Sequence, residues 1–274
     1  MRNSFDKNKF MQLIYEDKFD AANELKNAAI PNRLYKYFPL FDEYRNKYEE
    51  ENLKRINSLL EGQIWVSKYD MLNDPFEYKM LYLDKEKIEK HDWPVEMLDD
   101  FLEGIKKFSL TTCFSGETEN NMPMWAHYAN NHKGYCVSYR VTKPELITPV
   151  FYEPKRVGIA SVAINLLSAF HNKDEEKMLK YSTLYNLSLC CKHSLWEYEN
   201  EYRLVYLSYN SNNGQLISLE EIGLEVESIF IGHKTEPLQY ESLLKIGKSL
   251  GCNVYQMLFE ENSEDFKLVP RKLH

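Results

Sequence analysis

The sequence is poor in glycine and proline, with 10 of each among its 274 residues. This scarcity excludes a collagen-like or low-complexity chain. The glycine-rich phosphate loops G-x-G-x-x-G and G-x-x-x-x-G-K-[ST] are both missing, so any bound nucleotide would have to be held by side chains. The sequence also lacks the run of about 18 apolar residues that a transmembrane helix needs. We therefore expect a protein that does not enter the membrane.

Basic residues are outnumbered, with 34 Lys and Arg against 42 Asp and Glu and a net charge of −8. This balance argues against a protein that binds nucleic acid over a broad surface, although it is compatible with a local basic patch. The five cysteines show no C-x-x-C spacing, and the first residues include no apolar signal segment. We expect free thiols and a cytoplasmic location.

Aromatic residues are abundant, with 20 Tyr, 14 Phe and 4 Trp, which excludes a disordered chain. Short strand patterns surround isolated helix patterns without a regular βαβ alternation, which predicts one α+β domain with a mixed or antiparallel sheet. We assign a helical extension to residues 1–30, the α+β domain to 31–260 and a C-terminal tail to 261–274, of which residues 271–274 are expected to be frayed. Helices are predicted over 5–28, 42–60, 84–107 (broken near Trp93-Pro94), 124–130, 157–185 (split near 171–174) and 238–250. Strands are predicted over 34–38, 63–67, 108–115, 134–140, 201–207, 227–232 and 253–258.

Four segments carry unusual residues, and each has a structural and a functional interpretation. In Leu72 to Glu77, the Asn-Asp-Pro sequence is typical of a capped turn. The side chains of Asn and Asp bond nearby amides, and the residue before proline is held extended. A rigid loop of this kind can also present Asp74 and Glu77 to a cleft.

The second segment runs from Met124 to Gly134 and contains Trp125, His127 and Tyr128. On a helix, the side chains of Met124, His127 and Tyr128 share one face. The segment can therefore be an amphipathic helix whose Trp fills the core, or a binding surface with stacking rings and polar tips. The spacing of its two histidines is poor for zinc.

The third segment spans residues 192–203 and contains Glu199, Glu201 and Arg203. If Glu199 and Glu201 lie on the approach to the strand, a period of two places both side chains on one face with Arg203. Two like charges at this spacing are typical of a solvated face with an ion pair, or of a cleft in which one carboxyl pKa is raised. The fourth segment, Leu34 to Tyr37, places tyrosines beside Lys36, which core packing explains equally well.

Taken together, these segments resemble the DUF2971 family, a bacterial domain of unknown function, over about residues 34–232. The resemblance rests on Leu34-Tyr35-Lys36-Tyr37, Gly62 with Ile64-Trp65-Val66-Ser67, Asn73-Asp74-Pro75-Phe76-Glu77, Cys113-Phe114-Ser115, Met124-Trp125-Ala126-His127-Tyr128, His132-Lys133-Gly134-Tyr135-Cys136, and Lys192 with Trp196, Glu199, Glu201 and Arg203.

This resemblance implies a split sheet similar to that of the ADP-ribosyltransferases, with NAD as the substrate and no metal. It also implies a possible toxin or phage-defence effector with an antitoxin or activating partner. Glu201 would stabilise the oxocarbenium-like state of NAD cleavage and Glu199 would assist an acceptor. The remaining residues implied to bind the nucleotide are Tyr35, Lys36, Asn73, Asp74, Glu77, Trp125, His127, Tyr128 and Arg203.

Two other functions remain open on the residues alone. One is a metal-dependent hydrolase or nuclease that uses Asp74, Glu77, His127 and the two glutamates of the third segment. The other is a non-catalytic sensor or partner-binding module that uses Trp and Tyr for recognition. Neither an R…S-T-S…E nor an H…Y…E triad is present at clear spacing, so the residue with the first-strand role in NAD binding is left open.

Overall fold

Helices form where apolar residues recur at helical spacing. In the computed structural model, the described residues are 5–42, 46–76, 78, 81–82, 85–90, 95–158, 160–209, 213–262 and 264–274. The helices are α1 (Lys7–Tyr15), α2 (Phe19–Ala28), α3 (Asn46–Leu60), α4 (Lys85–Glu89), α5 (Val95–Phe108), α6 (Met122–Tyr128), α7 (Ala160–Asn172), α8 (Glu175–Leu189) and α9 (Pro237–Leu250).

The strands follow the alternating and β-branched segments. They are β1 (Arg33–Phe38), β2 (Gln63–Lys68), β3 (Leu81–Tyr82), β4 (Ser109–Ser115), β5 (Tyr135–Val141), β6 (Thr148–Pro149), β7 (Phe151–Glu153), β8 (Val157–Gly158), β9 (Cys191–His193), β10 (Glu201–Leu207), β11 (Gly214–Ser218), β12 (Leu224–Ile231), β13 (Asn253–Phe259) and β14 (Leu268–Lys272). The α+β class is confirmed.

Two long helices of the prediction are interrupted. The helix predicted over 5–28 is two helices, α1 and α2, separated by a turn in which Asp17 has a φ of 58°. The break predicted near 171–174 is confirmed, because Asp174 accepts a hydrogen bond from the Lys177 N–H and caps the start of α8. The predicted break at Trp93-Pro94 lies outside the described residues.

The prediction that residues 271–274 are frayed is wrong, because Arg271 and Lys272 pair with β13 and the Leu273 N–H donates to the Val254 carbonyl. Strand β14 pairs antiparallel with β13, and Leu268 at its start is buried. Strand β11, which pairs with β2, was not predicted either. Both strands are short and sparsely hydrophobic, so their sequence period carries little signal, and pairing with a neighbour decides their conformation.

The central sheet is split at β4. It runs in the order β11-β2-β4-β1-β5-β12-β13-β14 and is mixed, since β12 and β13 are parallel while the other neighbours are antiparallel. Strand β10 pairs with β4 along its whole length. The opposite edge of β4 is shared, because β2 pairs with it at Leu110 and Thr111 whereas β1 pairs with it at Ser115. Strands β1 and β2 therefore diverge and leave a gap between them.

Different helices cover the two faces of this sheet. On one face, α3 and α9 pack on the largest hydrophobic cluster, to which Ile56 and Leu59 of α3 contribute. On the other face, α6 packs Trp125 against Tyr37 of β1. A separate helical cluster around α1, α5, α7 and α8 lies beyond β10. Among the described residues, no helix combines the length and apolar character needed to cross a membrane.

Candidate active site

The gap between β1 and β2 opens into a cleft of about 620 Å³. Residues from both faces of the sheet line it, so the cleft passes through the sheet. We call the end formed by Tyr128, Lys192, Glu199 and Glu201 the carboxylate side. The end formed by Glu51, Lys54, Arg55 and Ser58 of α3 is called the α3 side.

Strand geometry explains why the two ends differ. Successive side chains of a strand point to opposite faces. In β4, Ser115 lies opposite Glu201 in the register and shares its face. Thr112 and Phe114 point to the other face, where Phe114 belongs to the same cluster as the buried residues of α3. One strand therefore contributes side chains to both sides of the cleft.

A cluster of four charged residues forms the carboxylate side. The Lys192 Nζ donates to Glu199 Oε2 at 2.6 Å and to Glu201 Oε2 at 3.1 Å. The Arg203 Nε donates to Glu201 Oε1 at 2.6 Å, and its Nη2 donates to Oε2 at 3.2 Å. All four residues are buried. Removing one partner would leave an uncompensated buried charge, which typically costs about 3–5 kcal/mol.

The two carboxyl groups have opposite pKa shifts. Burial and the nearby charge of Glu201 raise the pKa of Glu199 to about 7. Burial also acts to raise the pKa of Glu201, but the cations of Arg203 and Lys192 outweigh it and hold that pKa well below its ordinary value. At neutral pH one carboxylate is therefore permanently charged and the other is poised to exchange a proton.

The backbone between the glutamates brings them together from different elements. Glu199 ends a 3-10 segment (Ser194–Glu199), and Asn200 adopts a left-handed φ of 43° before β10 begins at Glu201. The Ser115 Oγ donates to the Glu199 carbonyl at 2.7 Å and fixes this turn. Glu199 therefore lies just before the strand, which begins at Glu201 as predicted, and both side chains converge on Lys192.

Tyr128 connects the carboxylate pair to the loop after β2. Its hydroxyl donates to Glu199 Oε1 and accepts from the Asn73 Nδ2 at 2.7 Å. Burial and the charge of Glu199 raise the pKa of the Tyr128 hydroxyl above its ordinary value. The group therefore stays protonated and acts as a hydrogen-bond donor to the carboxylate. Asn73 and Tyr128, both expected at the site from the sequence, meet here.

Lys36 occupies the gap in the sheet. Its Nζ donates to the Cys113 carbonyl at 3.1 Å and lies 5.6 Å from the centre of the Phe114 ring. Burial lowers the pKa of Lys36, although the nearby Glu201 acts in the opposite direction. Its neighbour Tyr35 also lines the cleft, and burial raises the pKa of Tyr35 to about 12. The first strand thus places a cation and a phenol between the two sides of the cleft.

Several residues expected at the site lie outside the cleft. Asp74 is buried and accepts from the Phe76 N–H at 2.8 Å, which is the capped turn of the structural interpretation. Trp125 is fully buried and donates its Nε1–H to the Glu119 carbonyl at 2.6 Å, so it is a core residue. Neither side chain is exposed to stack on or bind a ligand.

His127 and Arg203 also differ from their predicted roles. The ring of His127 lies 6.1 Å from that of Tyr198 and does not line the cleft. Arg203 is fully buried behind Glu201 and donates to the Leu189 carbonyl at 2.7 Å, so it positions Glu201 instead of touching a nucleotide. Glu77 lies outside the described residues.

Other residues of the cleft escaped prediction. Lys192 belongs to the third segment, but nothing in the sequence shows that it bridges both glutamates. Arg55 and Thr112 lie in a charged helix and a β-branched strand that look ordinary. Trp65 is 49% exposed at the mouth of the cleft. Since the residues of a solvated helix face and of a site look alike in sequence, only proximity identifies them.

The described part of the chain contains no group of three or more His, Cys, Asp or Glu side chains that could hold a metal ion. The two glutamates of the cleft are already bonded to Lys192 and Arg203. A divalent ion would need free carboxylate oxygens, and hydrogen bonds from these two cations already engage the oxygens of the glutamates.

Comparison with known proteins identifies one family. No curated protein and no solved structure matches the chain significantly. A family model described as "Protein of unknown function (DUF2971)" matches residues 124–204, a region that contains Tyr128 and the whole charged cluster of the carboxylate side. The family assignment made from the sequence is thereby confirmed: residues 124–204 belong to the DUF2971 family.

Proposed function

We propose that the protein consumes NAD by cleaving its nicotinamide–ribose bond, as an ADP-ribosyltransferase or an NAD glycohydrolase. The observation that carries this proposal is the pair of carboxylates with opposite pKa shifts at one end of a cleft that has cationic side chains at its other end. Cleavage of an N-glycosidic bond creates positive charge on the ribose. A carboxylate that remains ionised stabilises this charge.

In the proposed reaction, the C1′–N bond breaks and its electron pair leaves with the nicotinamide nitrogen. Glu201, held ionised by Arg203 and Lys192, stabilises the ribose cation. An acceptor hydroxyl or water then forms the new bond to C1′, and Glu199 accepts the proton that it releases. A carboxyl with a pKa of about 7 suits this transfer, because general bases work best near the ambient pH.

The remaining residues orient the reacting groups. Tyr128 holds Glu199 through the hydrogen bond from its hydroxyl, and Asn73 in turn donates to that hydroxyl. Lys192 is a positioning residue because it fixes both carboxylates at once. Tyr35 and Lys36, between the two sides of the cleft, would contact the ribose or phosphates. The exposed ring of Trp65 supplies a surface on which a base can stack.

The alternatives from the sequence receive less support. A metal-dependent hydrolase would need open carboxylates, whereas the cleft glutamates are engaged by buried cations. Binding of a partner does not require one carboxyl whose pKa is close to 7 beside another whose pKa is depressed. We also propose that the protein works in the cytoplasm, where its five cysteines, none of which forms a disulfide, would remain reduced. There it would act as a toxin or defence effector under the control of a protein partner.

The test measures nicotinamide release from NAD by the purified protein. We expect Glu199→Gln to lower the rate at least about 100-fold, which is the usual contribution of a general base. The matched control is Glu197→Gln, an exposed glutamate two residues away, which should leave the rate unchanged. Absence of NAD binding and cleavage by the wild-type protein would overturn the proposal, as would full activity of Glu199→Gln.

Glu201→Gln is a second test with its own folding check. It removes the shared partner of Lys192 and Arg203, so circular dichroism must accompany the rate measurement. We expect a folded fraction at low temperature with no detectable nicotinamide release. A folded Glu201→Gln protein with wild-type activity would exclude Glu201 from the reaction.

A further inference from the structure

Two residues that line the cleft each have a buried side-chain polar atom without a hydrogen-bond partner. These atoms are the Nη1 of Arg55 and the Oγ1 of Thr112. Thr112 is only 2% exposed. Buried polar groups in folded proteins are almost always bonded, and an unpaired one is costly. A ligand bound in the cleft beside these residues would supply the missing hydrogen-bond partners after a small rotation of their side chains.

The surroundings of these atoms are cationic. Lys54 lies exposed at the rim on the α3 side, and Lys36 lies in the gap of the sheet. The only acidic residue that the described cleft places on the α3 side is Glu51, whose Oε2 is 3.6 Å from the Arg55 Nη2. That distance is too long for a strong charged hydrogen bond, so the guanidinium keeps donors for an anion.

The guanidinium is also held in place. Its central carbon lies 5.3 Å from the centre of the Phe41 ring, a cation–π arrangement that limits its rotation. A planar guanidinium with a fixed orientation suits phosphate, which it can bind through two parallel hydrogen bonds. The hydroxyl of Thr112 can donate a further bond to a phosphate oxygen.

The position of these residues relates them to the reaction. Thr112 and Lys36 lie on the sheet face towards α3, whereas Glu199 and Glu201 lie beyond the gap on the carboxylate side. We propose that Arg55, Thr112 and Lys54 form a subsite for the diphosphate of a dinucleotide whose ribose reaches the carboxylates through the gap in the sheet. This proposal rests on the proposed function for the identity of the ribose-bearing end, but the binding of phosphate can be tested without turnover.

The experiment measures binding of ADP-ribose, pyrophosphate and adenosine by titration calorimetry. Wild-type protein should bind the first two, and adenosine should bind at least about 10-fold more weakly than ADP-ribose. Arg55→Gln should weaken ADP-ribose binding at least about 10-fold, a difference of about 1.4 kcal/mol. The control is Arg140→Gln, the same change at an exposed arginine on β5 that pairs with Glu225 outside the cleft.

Thr112 allows a sharper comparison. Thr112→Val keeps the shape of the side chain but removes the hydroxyl, and Thr112→Ser keeps the hydroxyl. We expect Thr112→Val to melt no lower than the wild type, because the lost hydroxyl has no partner in the free protein, and to bind ADP-ribose about 3- to 10-fold more weakly. Thr112→Ser should retain most of the affinity.

The outcomes separate the two proposals. If pyrophosphate does not bind, or if both Arg55→Gln and Thr112→Val bind ADP-ribose like the wild type, the subsite is refuted even if NAD is cleaved. If binding depends on Arg55 and Thr112 but nicotinamide is never released, the subsite stands and the proposed function fails. Glu199→Gln should bind pyrophosphate as the wild type does, since it changes only the carboxylate side.

Discussion

Replacement of Glu199 by glutamine should change how the stability of the protein depends on pH. Glutamine has the shape of a protonated glutamate but does not titrate. In the folded protein, burial and Glu201 raise the pKa of Glu199 from the ordinary 4.5 to about 7. A difference of this size corresponds to about 3 kcal/mol of free energy between the protonated and ionised forms.

The sign follows from where the proton is released. Between pH 4.5 and 7 the unfolded chain has already lost the proton of Glu199, whereas the folded protein still holds it. The contribution of Glu199 to stability is therefore fully present below pH 4.5 and is lost as the pH rises through 7. The Glu199→Gln variant does not undergo this loss. The free energy of unfolding of the variant, relative to that of the wild type, should therefore rise by about 3 kcal/mol between pH 4.5 and pH 8.

The assay is urea unfolding of both proteins at pH 4.5, 5.5, 6.5, 7.5 and 8, compared as differences in the free energy of unfolding. Other groups that titrate in this range, such as His132 and His233 with their lowered pKa values, contribute equally to both proteins and cancel. The control Glu197→Gln, at an exposed glutamate two residues away, should not reproduce the gain. A constant difference for Glu199→Gln, or one that falls as the pH rises, would refute the assignment of a raised pKa to Glu199.

Three further changes have defined outcomes. Lys192→Met removes the cation that both cleft glutamates share, so we expect a loss of about 3–5 kcal/mol in the free energy of unfolding by urea and no nicotinamide release; a stability equal to that of the wild type would contradict the buried bridge. Gly134→Ala would place a Cβ 2.0 Å from the Phe38 carbonyl oxygen of β1, and we expect it to destabilise the protein by about 3 kcal/mol in the same assay; a change below about 0.5 kcal/mol would show that the strands separate without cost. Burial and the neighbouring His132 lower the pKa of His233 to about 4, so stability falls as the pH decreases from 6.5 towards 4. His233→Asn should lessen this loss when melting temperatures at pH 5 and pH 7.5 are compared, and an unchanged loss would contradict it.

The elements with strong periodic patterns were predictable from the sequence. The alternation of β10 and the aromatic residues of β1 predicted strands with nearly the observed bounds, and α3 ends just before Gly62, whose φ of 65° suits glycine after a helix. These features depend on local spacing and backbone preference. Strands such as β11 and β14 depend on a partner strand, so their own residues carried too little signal.

The candidate site was predictable only in part. Of the residues implied to act at the site, Tyr35, Asn73 and Glu201 are among those that line the cleft, whereas His127 does not. The helix that carries His127 was predicted, but a rotation of one position decides whether a side chain points into the cleft or towards Tyr198. A helical period shows which residues share a face of the helix, but it does not show which part of the protein that face packs against.

The sequence by itself determined the α+β class, most of the strands and helices, and the presence of an acidic pair beside an arginine. These properties follow from composition and from periods of 2 and 3.6 residues, which are local. Only the tertiary structure decided that β1 and β2 pair with different parts of β4 and diverge from each other, that Lys192 joins both glutamates, and that Arg55 and Thr112 line the same cavity. Contacts of this kind join residues far apart in the chain, because strand order and register are set by the packing of the whole sheet and not by any one segment.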